Sequence, residues 1–243
     1  MHCTKLGSQI CETIEDVVAE CESQIGVTIP GVLVGGSYIY GRPDPDSDID
    51  LQLVVPLLTR ERRRVSKGAL RFDLVLSSER HIHDNIQQER HVGQIHMFAR
   101  GIILRDYNGA MQRLCEAAKT VIMCGATPLT LNDIRFAQHA ALDRICEAQR
   151  CQLSDPACCS LLLHDGLIGL VNLWFRIHRL WPPAPKSLIL RLHESDPGVA
   201  AVVREFFETK DTREQLRLVT TVARLISVLV GRTTHDYRIE LAN

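Results

Sequence analysis

The chain has almost no excess of either charge: 28 Lys and Arg against 29 Asp and Glu leave a formal net charge of -1 over 243 residues. That balance argues against a protein that coats nucleic acid through a broad basic surface, although a local basic cleft stays open. Its nine cysteines include no Cys-x-x-Cys and no paired Cys/His zinc spacing, so no zinc site is indicated. They read as reduced thiols, mostly small core residues of a cytosolic protein. No signal peptide opens the chain. The most apolar stretch, 161–180, contains His164, Asp165, Arg176 and Arg179, so it reads as a buried helix and not a membrane span. A cytoplasmic location with no membrane partner is the expectation. Internal repeats and low-complexity segments are lacking too. What remains is ordinary globular composition, 45% hydrophobic and 23% charged, in a chain long enough for one large domain or two small ones.

Apolar residues at Ile10, Ile14, Val17, Val18, Cys21 and Ile25 follow helical spacing, which predicts an amphipathic helix over 8–25 ending at Gly26. Three strands follow: GVLVGG (31–36), DIDLQLVV (48–55), stopped by Pro56, and LRFDLVL (70–76). TRERRRVSKG, between the last two, reads as a polar connection. A short strand is expected at 101–104 and a helix at 109–119. CGATPLT (124–130) is the expected boundary. Helices are expected beyond it near 133–152, 158–180, 186–194, 198–209 and 212–231, with WPPAP (181–185) as a rigid break. The fold class is α+β: a mixed sheet flanked by helices over residues 1–125, followed by an all-helical domain over 126–243.

Two acids in an otherwise apolar strand need something positive to meet them. Alternate strand residues share a face, so Asp48, Asp50 and Gln52 point one way and Ile49, Leu51 and Leu53 the other. The same rule puts Arg71, Asp73, Val75 and Ser77 on one face of the following strand. If the strands are neighbours, Asp73 joins Asp48 and Asp50, and three carboxylates converging there repel one another unless a cation intervenes. Oxygen ligands suit Mg²⁺, which takes one or two carboxylates and fills its shell with water and phosphate. Two ions could clamp the attacking and leaving oxygens of a phosphoryl transfer. Asp73 could then complete the second metal site or accept the proton of an attacking hydroxyl; the residues leave both open. Ahead of the acids, Gly35, Gly36 and Ser37 follow a strand. Glycine lets backbone N–H groups approach a phosphate, a helix starting there would add its positive end, and the Ser37 hydroxyl can donate to phosphate oxygen. No Gly-Lys-Ser/Thr follows, so this is not a Walker loop.

Taken together, Gly36-Ser37, Gly41 and Ser47-Asp48-x-Asp50, with ten residues between Ser37 and Asp48, resemble the nucleotidyltransferase superfamily, whose members read Gly-Ser…Gly…Ser-Asp-x-Asp. The resemblance covers 31–77 and, more loosely, 95–106. It implies that Mg²⁺ (two ions, on Asp48, Asp50 and Asp73) and ATP or another NTP bind at the edge of the sheet. Gly36 and Ser37 would hold the β- and γ-phosphates, and Ser47 would stand with them. The loop Arg42-Pro43-Asp44-Pro45-Asp46, with two prolines and two extra acids, departs from the commonest family pattern, and Arg42 in it is read as a phosphate contact. An acceptor hydroxyl would attack the α-phosphate and release pyrophosphate. The turn Trp181-Pro-Pro-Ala-Pro-Lys186 is similar to one in the helical domains of small-molecule, aminoglycoside-type nucleotidyltransferases, which implies a triphosphate contact for Lys186.

The expected function is therefore transfer of a nucleotidyl group, most simply AMP from ATP, to a hydroxyl of a small polar acceptor. Antitoxin-like adenylylation of a partner protein and nucleotide binding without turnover are the alternatives; a nucleic-acid partner is not expected. The run Arg60–Lys67 reads as a solvated loop or an electropositive patch flanking the site. His81, His83, His91 and His96 show no metal spacing and are assigned no site. Asp165, Asn172, Arg176 and Arg179 form a polar stripe on the helix over 161–180, facing either solvent or a cleft.

Overall fold

The computed structural model describes residues 6–40, 44, 46–56 and 60–230, without the side chains of Tyr40 and Val230. The chain divides into two units, with the division falling between Gly125 and Ala126.

The first unit opens with α1 (Ser8–Ile25), which buries Cys11, Ile14, Val17, Val18 and Cys21 along one stripe. Its first residue has no side-chain cap, so the helix is held by that stripe. Ile14 and Val18 are fully buried, each contributing about 1.5–3 kcal/mol. It closes at Gly26, whose N–H donates to the Glu22 carbonyl. Glu22 also accepts from the Ile29 N–H at 2.7 Å and from Arg105 at 2.8 Å, which fixes the approach to the first strand.

Five strands make one mixed sheet: β1 (Gly31–Gly35), β2 (Ile49–Val54), β3 (Glu61–Lys67), β4 (Leu70–Ser77) and β5 (Ile102–Asp106), in the order β3-β4-β2-β1-β5. β2 and β4 are parallel, and the other pairs are antiparallel. The polar connection expected over 59–68 is thus largely a strand, β3, forming a hairpin with β4. A strand's alternate faces explain how a run with one apolar residue stays folded. Arg63, from one face, reaches Gln24 of α1 at 2.9 Å, and Lys67 reaches Glu20 of α1 at 2.5 Å. Arg62, from the other, reaches Asp73.

Both faces of the sheet are covered. α1 packs against Val32, Val34, Leu51, Leu53, Phe72 and Leu74. On the opposite face α2 (Glu79–Gln87), α3 (Val92–Arg100) and α4 (Ala110–Cys124) pack on Leu33 and Val54 through Ile82, Ile95, Phe98 and Met111. That second face also carries a buried amide chain. Asn85 of α2 donates to Gln94 of α3 at 3.3 Å, and Gln94 donates to Gln52 of β2 at 2.9 Å. All three are at most 8% exposed, so the chain is costly to break. Gln94→Leu leaves the Asn85 amide and the Gln52 carbonyl without their partner and is expected to cost about 1–3 kcal/mol, read from the urea midpoint.

The second unit is all helical: α5 (Leu131–Cys151), α6 (Pro156–Ile177), α7 (Leu188–Ser195), α8 (Pro197–Glu208) and α9 (Thr212–Val230). Local signals set the starts. Thr130 and Asp133 form a capping box at α5, and Asp155-Pro156 and Asp196-Pro197 open α6 and α8. By length and hydropathy alone α6 could cross a membrane, but its Leu163, Leu167, Leu170, Val171, Trp174 and Phe175 are buried in this unit's core. Two members of the polar stripe of α6 have partners within the unit. Asp165 pairs with Arg144 of α5 at 3.0 Å, and Arg176 donates to the Thr127 carbonyl at 2.9 Å. Arg179 lies beyond the helix end, in a left-handed conformation. Cys11 is disulfide-bonded, against the expectation of reduced thiols, whereas Cys21, Cys115 and Cys159 are buried free thiols. Burial pushes all three up, Cys115 to about 11.

Candidate active site

The site forms where β1 ends and β2 and β4 begin, on the face covered farther along by α2, α3 and α4. Register builds it. Asp50 of β2 lies opposite Gly35 of β1 on one side and opposite Asp73 of β4 on the other. Paired residues on neighbouring strands point to the same face, so Asp50 and Asp73 project together, on the face that also carries Gln52. Asp48 precedes the strand by one residue and bonds through its carboxylate to Arg71 of β4 at 3.0 Å. The three acids converge on one face of the sheet.

The glycine corner touches this cluster, and its two glycines serve different ends. Gly35 makes room for α3, since a Cβ there would lie 2.4 Å from the Met97 side chain. Gly36 makes room for the site. Its φ is +71°, and a Cβ would lie 1.9 Å from Oδ2 of Asp50. Backbone and carboxylate therefore meet with nothing between them. The chain here makes a single helical turn, Ser37–Tyr40, too short to lend a macrodipole, so any anion binding falls to the amides and the Ser37 hydroxyl. Ser47 works in the loop: its hydroxyl accepts from the Asp44 N–H at 2.9 Å while its own N–H donates to the Asp44 carbonyl at 2.9 Å. That turn delivers the chain to Asp48. Arg42 lies outside the described residues. Lys186 belongs to the helical unit, in the turn Pro185–Ser187.

Arginines supply the positive charge that the apolar strands demanded. Arg62 of β3 binds Asp73 through Nε, at 2.8 Å to Oδ1 and 3.1 Å to Oδ2, and through Nη2 to Oδ2. The bond to Asp73 raises the guanidinium's pKa first, then the Asp73 charge, with Asp50 and Asp48 adding to it, so Arg62 senses all three acids. In return its hydrogen bonds hold the Asp73 carboxyl below the usual carboxylate range, against the upward push of burial. A lowered pKa makes Asp73 a poor proton acceptor near neutral pH. Arg71 adds the Asp46 carboxylate at 3.6 Å and bonds the Asp46 carbonyl. The alternation that placed Arg71 beside Asp73 was legible in the sequence; Arg62 and Arg64 would have needed β3 to be read as a strand.

With these pairings in place, no three His, Cys, Asp or Glu side chains among the described residues are arranged to hold a metal ion. Mg²⁺ asks for less. One or two carboxylates suffice when water and phosphate oxygens complete the octahedron. The donor set and the Gly36 cradle against Asp50 fit that requirement.

No protein-family model matches the chain, and no curated protein matches it in sequence. In three dimensions it is similar to a solved nucleotidyltransferase-like protein from Exiguobacterium sibiricum, with a TM-score of 0.53 and 14% identity, over 90% of this chain and 77% of that one. The chain has a nucleotidyltransferase-like fold.

Proposed function

We propose that the protein is a Mg²⁺-dependent nucleotidyltransferase that moves a nucleotidyl group, AMP from ATP, to a hydroxyl of a small polar acceptor and releases pyrophosphate. The observation that carries this reading is the contact between Gly36 and Asp50, the phosphate corner and the metal acid, in a sheet that also sets Asp73 beside Asp50. In it, the Gly36 and Ser37 amides and the Ser37 hydroxyl bind oxygens of the β- and γ-phosphates. Asp48 and Asp50 hold the ion. Bound there, Mg²⁺ supplies charge neutralisation on the phosphate oxygens. An acceptor oxygen forms its bond to the α-phosphorus as the bond from that phosphorus to the bridging oxygen breaks. The hydroxyl proton leaves to solvent or base, and pyrophosphate departs. Most of the rate comes from alignment and fixed charge, as in phosphoryl transfer generally. The helical unit is assigned the acceptor, and Lys186 a triphosphate contact, on the resemblance alone.

The test is transfer of label from α-³²P-ATP across a panel of hydroxylated small molecules, aminoglycosides included, with Mg²⁺. The expected result is a labelled acceptor with one pyrophosphate released per transfer. Tight Mg-ATP binding with no transfer to any acceptor would favour a nucleotide-binding module instead.

A further inference from the structure

The acids do not hold their arginines alike. Asp73 is 7% exposed, and a desolvated carboxylate needs its partners. The Arg62 fork supplies them through Nε and Nη2, in the two-donor geometry that guanidinium and carboxylate share. β3 pins the arrangement, because Arg64 lies opposite Asp73 and Arg62 opposite Val75, which points both side chains over the acid face. Asp48 is different. Its contact to Arg71 is 3.0 Å long, and the acid itself is 36% exposed against 7% for Asp73, while both arginines are solvent-facing, Arg71 at 49% and Arg62 at 61%. The face therefore has two places for positive charge, one filled from within the chain and one open to exchange.

We infer that Arg62 stands where a second metal ion would otherwise bind: its guanidinium reserves Asp73, and the cluster takes a single divalent ion at Asp48 and Asp50. The inference rests on the nucleotidyltransferase reading and sharpens it. Of the two roles the sequence leaves open for Asp73, metal ligand or proton acceptor, it fills neither. It anchors Arg62, a positioning residue, through Nε and Nη2. In place of the two-ion clamp expected from the sequence, the site uses one ion and one guanidinium.

The test is a count of Mn²⁺ bound per chain, by equilibrium dialysis of the full chain with saturating α,β-methylene-ATP and after subtraction of nucleotide-bound metal in protein-free controls. One ion is expected for the native chain, one for Arg62→Lys, and two for Arg62→Met, whose Asp73 is released. Asp73→Asn is expected to keep its single ion, so the inference is decided even if Arg62→Met does not fold. Two ions on the native chain, or loss of the single ion in Asp73→Asn, would overturn it and leave the nucleotidyltransferase reading standing. No bound ion on the native chain would overturn that reading as well.

Discussion

Asp50→Asn is expected to lower nucleotidyl transfer by at least about a hundredfold, the scale on which a single preorganised electrostatic group acts at a reacting centre. The change is close to isosteric, so the urea midpoint should stay near that of the native chain. What is lost is charge. Asp50 sits at the centre of the site, opposite Gly35 on one strand and Asp73 on the other, and an amide there gives a divalent ion one neutral oxygen for a carboxylate. A loss of that size with the fold preserved separates a metal-binding role from a structural one. Steady-state transfer at saturating ATP, with circular dichroism and urea unfolding on the same preparation, reads both.

Gly36→Ala has the second largest expected effect, and it acts on stability and activity together. An L-residue held at φ +71° costs on the order of 1–3 kcal/mol, and here the new methyl would start 1.9 Å from the Asp50 carboxylate. One of the two must move. The loss of stability should therefore come with a loss of transfer larger than unfolding explains. Gly68→Ala is the matched control. Gly68 has φ +61°, in the β3–β4 turn, and a Cβ there meets nothing within 4 Å. It should show the backbone penalty in the urea midpoint and leave transfer per folded molecule unchanged. Equal losses of transfer in the two variants would mean that the corner matters for the fold and not for the phosphates.

Much of this was legible in the sequence because it rests on local pattern. The long helices announce themselves by apolar period, as in α1, whereas the caps at Thr130 and Asp155 that set the starts of α5 and α6 are seen in the structure. Strand alternation sets Asp48 with Asp50, and Asp73 joins them because β2 and β4 are neighbours in register. What was not legible depends on pairing. β3 carries Val65 as its one apolar residue and reads as a loop because an edge strand is held by its backbone ladder and, here, by Arg63 and Lys67 reaching α1. With β3 hidden, Arg62 and Arg64 could not be placed over the acids. The sequence asked what positive group meets the carboxylates and suggested only metal, whereas the structure brings arginine to Asp48 and to Asp73. The Gly35-Gly36 pair looked like one device. Only tertiary contacts show Gly35 yielding to Met97 and Gly36 to Asp50. The polar stripe of α6 could face solvent or a cleft until Arg144 and the Thr127 carbonyl were seen to occupy Asp165 and Arg176.

The measurement that bears most directly on the site is calorimetric titration of Mg²⁺ with α,β-methylene-ATP into the native chain and into Asp50→Asn, both verified as folded. Saturable, magnesium-dependent binding to the native chain that is lost or at least about tenfold weaker in Asp50→Asn is the result expected. Equal affinity in the two proteins, or binding indifferent to magnesium, would contradict the assignment of this face to a metal-bound triphosphate.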